Sequence, residues 1–243
     1  MAPLRGFFHF ACVHEYLQND PTAGVAKRRK PKEKEIIRMN VNEVHEFLKQ
    51  IANNGSGLSE RQQKYCEKTQ YRDTAIIMLM LNTGIRVSEC VGLDLVDINF
   101  KEHSFVVVRK GGSSATLYFG LEVENALKDY IDYERAEYVP DDSEEKALFL
   151  SLKKQRISVR SVQVMVKKFS QIAVPGKKIT PHKMRSTYGT ALYQETGDIR
   201  LVADVLGHKD INNTAKHYAA MEEEHRKQAA TITLYQNESD NTL

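Results

Sequence analysis

Four short clusters carry side chains able to handle a phosphate ester. In Thr180-Pro181-His182-Lys183-Met184-Arg185, Thr180 suits an N-cap, Pro181 the first helical position, and His182 and Arg185 share one face at i and i+3. Both would crown a helix N-terminus, where unsatisfied N–H groups and the helix dipole attract phosphate and a guanidinium adds two parallel hydrogen bonds. The same pattern also describes a surface His and Arg on an amphipathic helix, and alone it does not choose. In the run from Leu81 to Glu89, Gly84 ends a buried helix and Arg86 emerges at the turn before the next one. Glu89, three residues on, can pair with that guanidinium structurally or orient it toward a ligand. In Leu206-Gly207-His208 the glycine caps a helix and sets His208 in the following turn. Tyr218 is one of 11 tyrosines, so only its place after three cationic motifs marks it. Breaking a phosphodiester without hydrolysis requires a nucleophile, cations for the developing charge, and an acid for the leaving oxygen. The clusters offer candidates for each.

Such groups need a rigid frame, and the apolar periodicity predicts one that is mainly α with a small antiparallel β-sheet. Helical patterns cover 41–51, 71–81, 123–138, 158–172, 181–195, 199–206, 214–221 and 222–230, with Ile76, Ile77, Leu79, Met80 and Leu81 expected in the core. The β-rich runs 104–109 and 115–119 flank Lys110-Gly111-Gly112-Ser113-Ser114, which predicts a hairpin. At the start, 4–24 read as an amphipathic helix ending in a turn, with Phe7, Phe8, Phe10, Val13 and Leu17 as its stripe and Asn19-Asp20-Pro21 as its stop. The basic residues Lys27, Arg28, Arg29, Lys30, Lys32 and Lys34 follow around Pro31. They read either as a solvated tether or as a strap along nucleic-acid phosphates, which gain affinity by counterion release.

At 243 residues and 41% hydrophobic content the chain can bury a sizeable core. Its 35 basic and 32 acidic residues give a net charge of +3, so any nucleic-acid partner must be met by local clustering of charge. Cys12, Cys66 and Cys90 are odd in number and lack metal-ligand spacing, which predicts reduced thiols, no metal site and a cytoplasmic setting. The apolar run 7–13 is too short and too polar for a signal segment or a span, so no membrane is expected.

In this order, Thr83-Gly84-Ile85-Arg86, His182-x-x-Arg185, Leu206-Gly207-His208 and Tyr218 resemble the signature of the tyrosine recombinases, over roughly 36–235. The resemblance is greatest to integrases of bacterial mobile elements. It implies the tyrosine recombinase catalytic-domain fold, with Arg86, His182, Arg185 and His208 on the scissile phosphate and Tyr218 forming a 3′-phosphotyrosyl bond. Lys110 matches the family's strand-turn lysine, which is assigned to protonate the leaving 5′ oxygen, although Arg109 stands beside it. Glu89 matches the acidic position that supports the first arginine. His208 and Tyr218 lie ten positions apart, one more than the commoner family spacing, with the extra residue assigned to Asn212-Asn213.

The resemblance further implies duplex DNA as substrate, a homotetramer on DNA, no metal or other cofactor, and four segments. These are 1–25, the last helix of a core-binding domain; 26–38, the basic linker; 39–221, the catalytic domain; and 222–243, a tail exchanged between subunits. The rest of the core-binding domain has no counterpart here, which suggests a shortened chain. A type IB topoisomerase and a non-catalytic DNA-binding regulator on the same fold are the competing readings. The second predicts a lost arginine or nucleophile, and none is missing.

Overall fold

A computed structural model describes residues 2–25, 37–53, 56–109, 111–137, 146–208 and 211. These fall into two compact units, one within Met1–Glu35 and one within Ile36–Leu243. Residues 26–36 of the expected linker, Lys110, Tyr218 and both C-terminal helices lie outside the described residues.

In the first unit, α1 (Ala2–Val13) is shorter than the predicted 4–24. Glu15 takes a left-handed φ of 59°, the Tyr16 N–H returns to the Ala11 carbonyl at 2.8 Å, and the Glu15 N–H to that of Cys12 at 3.1 Å. This pair of bonds ends the helix well before Asp20, which instead accepts from the backbone and hydroxyl of Thr22 in a separate turn. Of the expected stripe, Phe7, Phe10, Val13 and Leu17 remain exposed.

The second unit is built around α4 (Gln70–Thr83), apolar on nearly every side. The core residues expected there, Ile76, Ile77, Leu79, Met80 and Leu81, are all buried. Around it pack α2 (Val41–Ala52), α6 (Leu121–Asp129) and α8 (Pro181–Thr196), while α7 (Val159–Ala173) packs on α2. α3 (Glu60–Glu67) was not foreseen: its eight residues, ERQQKYCE, bury only Cys66, too little for an apolar period to stand out. α5 (Val87–Gly92) follows the turn at Gly84. The sheet has three antiparallel strands in the order β1 (Ile98–Asn99), β2 (Ser104–Val108) and β3 (Ser114–Tyr118). Phe105 pairs with Leu117 and Val107 with Ala115, so Phe105, Val107 and Leu117 face the core. The two-residue β1 is too short to show an alternating pattern, which is why the sequence revealed a hairpin and not its third strand. The helix expected over 123–138 changes character at Tyr130: Tyr130–Glu134 is a π turn and Arg135–Glu137 a 3-10 turn. The wider turn sets Tyr130 and Glu134 in the core, where the Tyr130 hydroxyl accepts from the Leu150 N–H at 2.9 Å.

Beneath that turn lies a buried ionic group. Arg72 gives Nε and Nη2 to Asp73 at 3.0 and 2.7 Å and Nη1 to the Leu150 carbonyl at 3.0 Å, and its N–H donates to Glu134 at 2.9 Å. Burial pushes the Glu134 carboxyl up to about 7. A carboxyl raised in this way stabilises the fold most below its unfolded value, and that contribution is lost as pH rises through about 7. Glu134→Gln, neutral at every pH, is therefore expected to melt ~5 °C above the parent at pH 8 and close to it at pH 5. Thermal melts at both values check this, and a variant less stable at pH 8 than the parent would refute it.

Candidate active site

Three helix ends meet where the sequence placed its cationic clusters. α4 stops at Gly84, whose φ is 63° and whose N–H returns to Met80 at 3.2 Å. The glycine is required twice, by its left-handed backbone and by space. A Cβ there would stand 2.5 Å from Cδ1 of Tyr188 and 2.7 Å from Cδ2 of Leu206. Two residues on, Arg86 is the N-cap of α5 in an extended conformation. Its N–H donates to Oε2 of Glu89 at 3.1 Å and its Nη1 to Oε1 at 2.7 Å, so Glu89 both caps the helix and aims the guanidinium. Nη2 of Arg86 donates to the Gly207 carbonyl at 2.9 Å.

α8 begins as its residues dictate: Thr180 is the N-cap and accepts from the Lys183 N–H, and Pro181 opens the first turn. His182 is exposed in that turn, and Arg185, one turn later, is buried. The Arg185 guanidinium joins the two neighbouring helix ends, with Nη1 donating to the Gly84 carbonyl and Nη2 to that of Leu206.

The third helix, α9 (Ile199–Leu206), is started by Asp198, whose carboxylate accepts from the N–H groups of Arg200 and Leu201 at 2.7 and 3.1 Å. Gly207, at φ 59°, ends it: the His208 N–H returns to Ala203 and the Gly207 N–H to Asp204, both at 2.8 Å. His208 then stands partly buried in the turn. Val202 and Leu206 pack with Tyr188, Leu192 and Tyr193 of α8, which fixes α9 against α8.

The geometry thus brings together Arg86, Glu89, Arg185 and His208, with His182 at the N-terminus of the same α8. Two contacts escaped a sequence reading. Tyr188 forms the wall against Gly84, and burial raises its phenol above the ordinary range, so it stays neutral. Arg109 reaches α9 as well, donating Nη1 to Asp204 O at 3.1 Å and Nη2 to Val205 O at 3.0 Å. Neither contact spans a distance that local spacing could reveal. Cys12, Cys66 and Cys90 are unpaired thiols, and burial pushes that of Cys90 up to about 12. No described helix is long and apolar enough to cross a membrane.

Guanidiniums brought to one point by three helix ends, beside a mainly helical core and a three-stranded antiparallel sheet, define the catalytic-domain fold of the tyrosine recombinases. Residues 38–225 match the model of the phage integrase family, and the chain belongs to that family. The tyrosine recombinase XerC of Caldanaerobacter subterraneus subsp. tengcongensis is 43% identical over 145 residues, which cover 59% of this chain and 40% of the relative. XerC of Psychromonas ingrahamii is 31% identical over 217 residues, covering 88% of this chain and 66% of its own length. The chain therefore spans between two fifths and two thirds of the length of the curated relatives it matches. Among solved structures, the XerH site-specific recombinase bound to palindromic difH substrate superposes with a TM-score of 0.70 at 22% identity, over 89% of this chain and 59% of that one. The Tn1549 transposon integrase in complex with circular intermediate DNA gives a TM-score of 0.70 at 19% identity, over 93% and 75%.

Proposed function

We propose that this chain cuts and rejoins double-stranded DNA as a site-specific recombinase or integrase, through a 3′-phosphotyrosyl bond on Tyr218. One observation carries the reading: Arg86 and Arg185, from separate helices, hold the adjacent carbonyls of Gly207 and Leu206, at the turn from which the chain runs on toward Tyr218. A carbonyl is a neutral acceptor, and a phosphodiester brought to the same point offers full charge and stronger, charge-assisted bonds. On this reading Arg86, Arg185, His182 and His208 bind the scissile phosphate and stabilise the charge that builds on its oxygens. The Tyr218 oxygen attacks phosphorus and loses its phenolic proton to solvent or a nearby base. The bond from phosphorus to the 5′ oxygen breaks, and Lys110 supplies the proton that oxygen takes up. Rejoining is the reverse, with a 5′ hydroxyl as nucleophile, and the ester bond is conserved throughout, so no nucleotide hydrolysis is needed to drive it.

The remaining assignments belong to the same proposal. Residues 1–25 serve as the last helix of a core-binding domain and 26–38 as a linker whose Lys27, Arg28, Arg29, Lys30, Lys32 and Lys34 follow DNA phosphates. Residues 39–221 form the catalytic domain, and 222–243 link subunits of a tetramer on DNA. A bacterial cytoplasm fits the three free thiols.

Incubation with nicked suicide duplexes carrying candidate sites tests the reading, because the cleaved strand end diffuses away and the covalent product accumulates. A protein–DNA adduct that survives denaturing electrophoresis is expected. Tight binding without any adduct would favour a non-catalytic regulator, and relaxation of supercoils without exchange between two sites would favour topoisomerase-like action. For Lys110, a 5′-bridging sulfur, which leaves without a proton, is expected to restore cleavage by Lys110→Ala. Rescue of Arg109→Ala in its place would move the acid to Arg109.

A further inference from the structure

A third guanidinium meets the end of α9, and the proposed reaction does not use it. A helix leaves its last carbonyls without partners of its own. At α9 they are all taken. Ala203 O accepts from the His208 N–H at 2.8 Å, and Asp204 O from the Gly207 N–H at 2.8 Å and from Arg109 Nη1 at 3.1 Å. Val205 O accepts from Arg109 Nη2 at 3.0 Å, Leu206 O from Arg185 and Gly207 O from Arg86 at 2.9 Å. Two of these three arginines are the ones that turn toward a phosphate on binding. The third is anchored at its own end too. The Arg109 N–H donates to Ser113 O at 2.8 Å and its carbonyl accepts from Gly112 at 3.0 Å, which closes the base of the β2–β3 turn. Its guanidinium lies against Gly207, where an added Cβ would stand 2.5 Å from Cζ and closer still to Nη1. Gly207 therefore serves two ends, a left-handed turn and a seat for Arg109.

We infer that Arg109 is a positioning residue for His208: by clamping the carboxyl end of α9 to the β2–β3 hairpin, it fixes the Gly207-His208 turn while Arg86 and Arg185 engage the phosphate. The role given to His208 rests on the recombinase reading; the clamp rests on the contacts of Arg109 alone. A planar guanidinium can hold two successive carbonyls with two parallel donors, and an ammonium is a single point that cannot span them. Arginine is thus required by shape as well as by charge. A displacement of His208 by about 1 Å is enough to cost up to ~10² in rate, since a group held slightly out of line loses most of its effect on the transition state.

The test is single-turnover cleavage of a suicide duplex by the full chain at saturating protein, with duplex affinity measured separately. Arg109→Ala is expected to cleave ~10-fold or more slowly with little change in affinity. Arg109→Lys recovers little of the rate, and Arg109→Gln recovers part of it, because an amide still donates to one carbonyl. His208→Ala supplies the readout that a general loss of structure would not move: the Arg109→Ala, His208→Ala pair should be no slower than His208→Ala alone. A parental rate for Arg109→Ala, or a double variant in which the two losses multiply, would overturn the inference. So would weaker binding at a normal saturated rate with the log affinity–log salt slope reduced by about 0.9, the mark of a direct phosphate contact. If Arg109→Ala melts below the assay temperature, Arg109→Gln carries the same comparisons. Tyr218→Phe in parallel separates the two levels. No adduct with the parental chain, or one that persists in Tyr218→Phe, defeats the reading through Tyr218, whereas a parental adduct lost in Tyr218→Phe together with normal cleavage by Arg109→Ala defeats only the clamp.

Discussion

Tyr218→Phe is expected to leave no protein–DNA adduct resistant to denaturing electrophoresis, while duplex affinity stays at the parental level. The substitution removes one phenolic oxygen and retains the ring. It deletes the proposed nucleophile and spares Arg86, Arg185, His182 and His208, the groups assigned to the phosphate. Affinity for duplex DNA is dominated by such cation–phosphate contacts, so it should not change. An interaction needed only as the new bond forms lowers the rate without lowering binding. No other tyrosine stands between His208 and Met221. Tyr188 packs against the Gly84 turn, and burial raises its phenol above the ordinary range, which makes it harder to deprotonate than a free phenol. An adduct that persists in Tyr218→Phe would send the search for the nucleophile elsewhere, and mapping the DNA-linked peptide would find it.

How much of this was legible in the sequence depends on the range of each cause. The ends of α4, α8 and α9 follow from residues within one turn: Gly84, Thr180 with Pro181, and Gly207 act through backbone conformation and local hydrogen bonds, so their positions could be read directly. The pairing of Arg86 with Glu89 is local in the same way. What could not be read is everything fixed by distant contacts. Arg109 meets the end of α9 through a separation of 95 and 96 residues, and nothing around Arg109 hints at it. The π turn at Tyr130 exists because Glu134 and Tyr130 must reach Arg72 and Leu150, so a sound helical period at 123–138 was overridden by tertiary packing. The early end of α1 has another origin. Glu15 accepts a left-handed backbone that is unusual for a glutamate, and local composition favoured continuing the helix.

Arg185→Ala is expected to cost more than Arg86→Ala, because the side chain has two separable roles. The first is chemical. Removing one preorganised donor from the charge that builds in the transition state typically slows the reaction by ~10² or more. Arg86→Ala should share that loss, since both guanidiniums converge on the turn before Tyr218. The second role is structural. Arg185 is buried, and it satisfies the carbonyls of both Gly84 and Leu206 across two helix ends. Truncation leaves two carbonyls without that donor, at about 1–3 kcal/mol for each buried group left unpaired. Arg86 is partly exposed, so water can replace its bond to Gly207. The two variants should therefore be alike in cleavage and unlike in stability: Arg185→Ala melts well below the parent, and Arg86→Ala within a few degrees of it. Arg185→Lys keeps the charge without the fork and should restore neither property fully. Thermal melts, followed by single-turnover cleavage below the lowest midpoint, separate the two effects. Parental cleavage by folded Arg185→Ala would remove Arg185 from the reaction and leave it as a tie between helix ends.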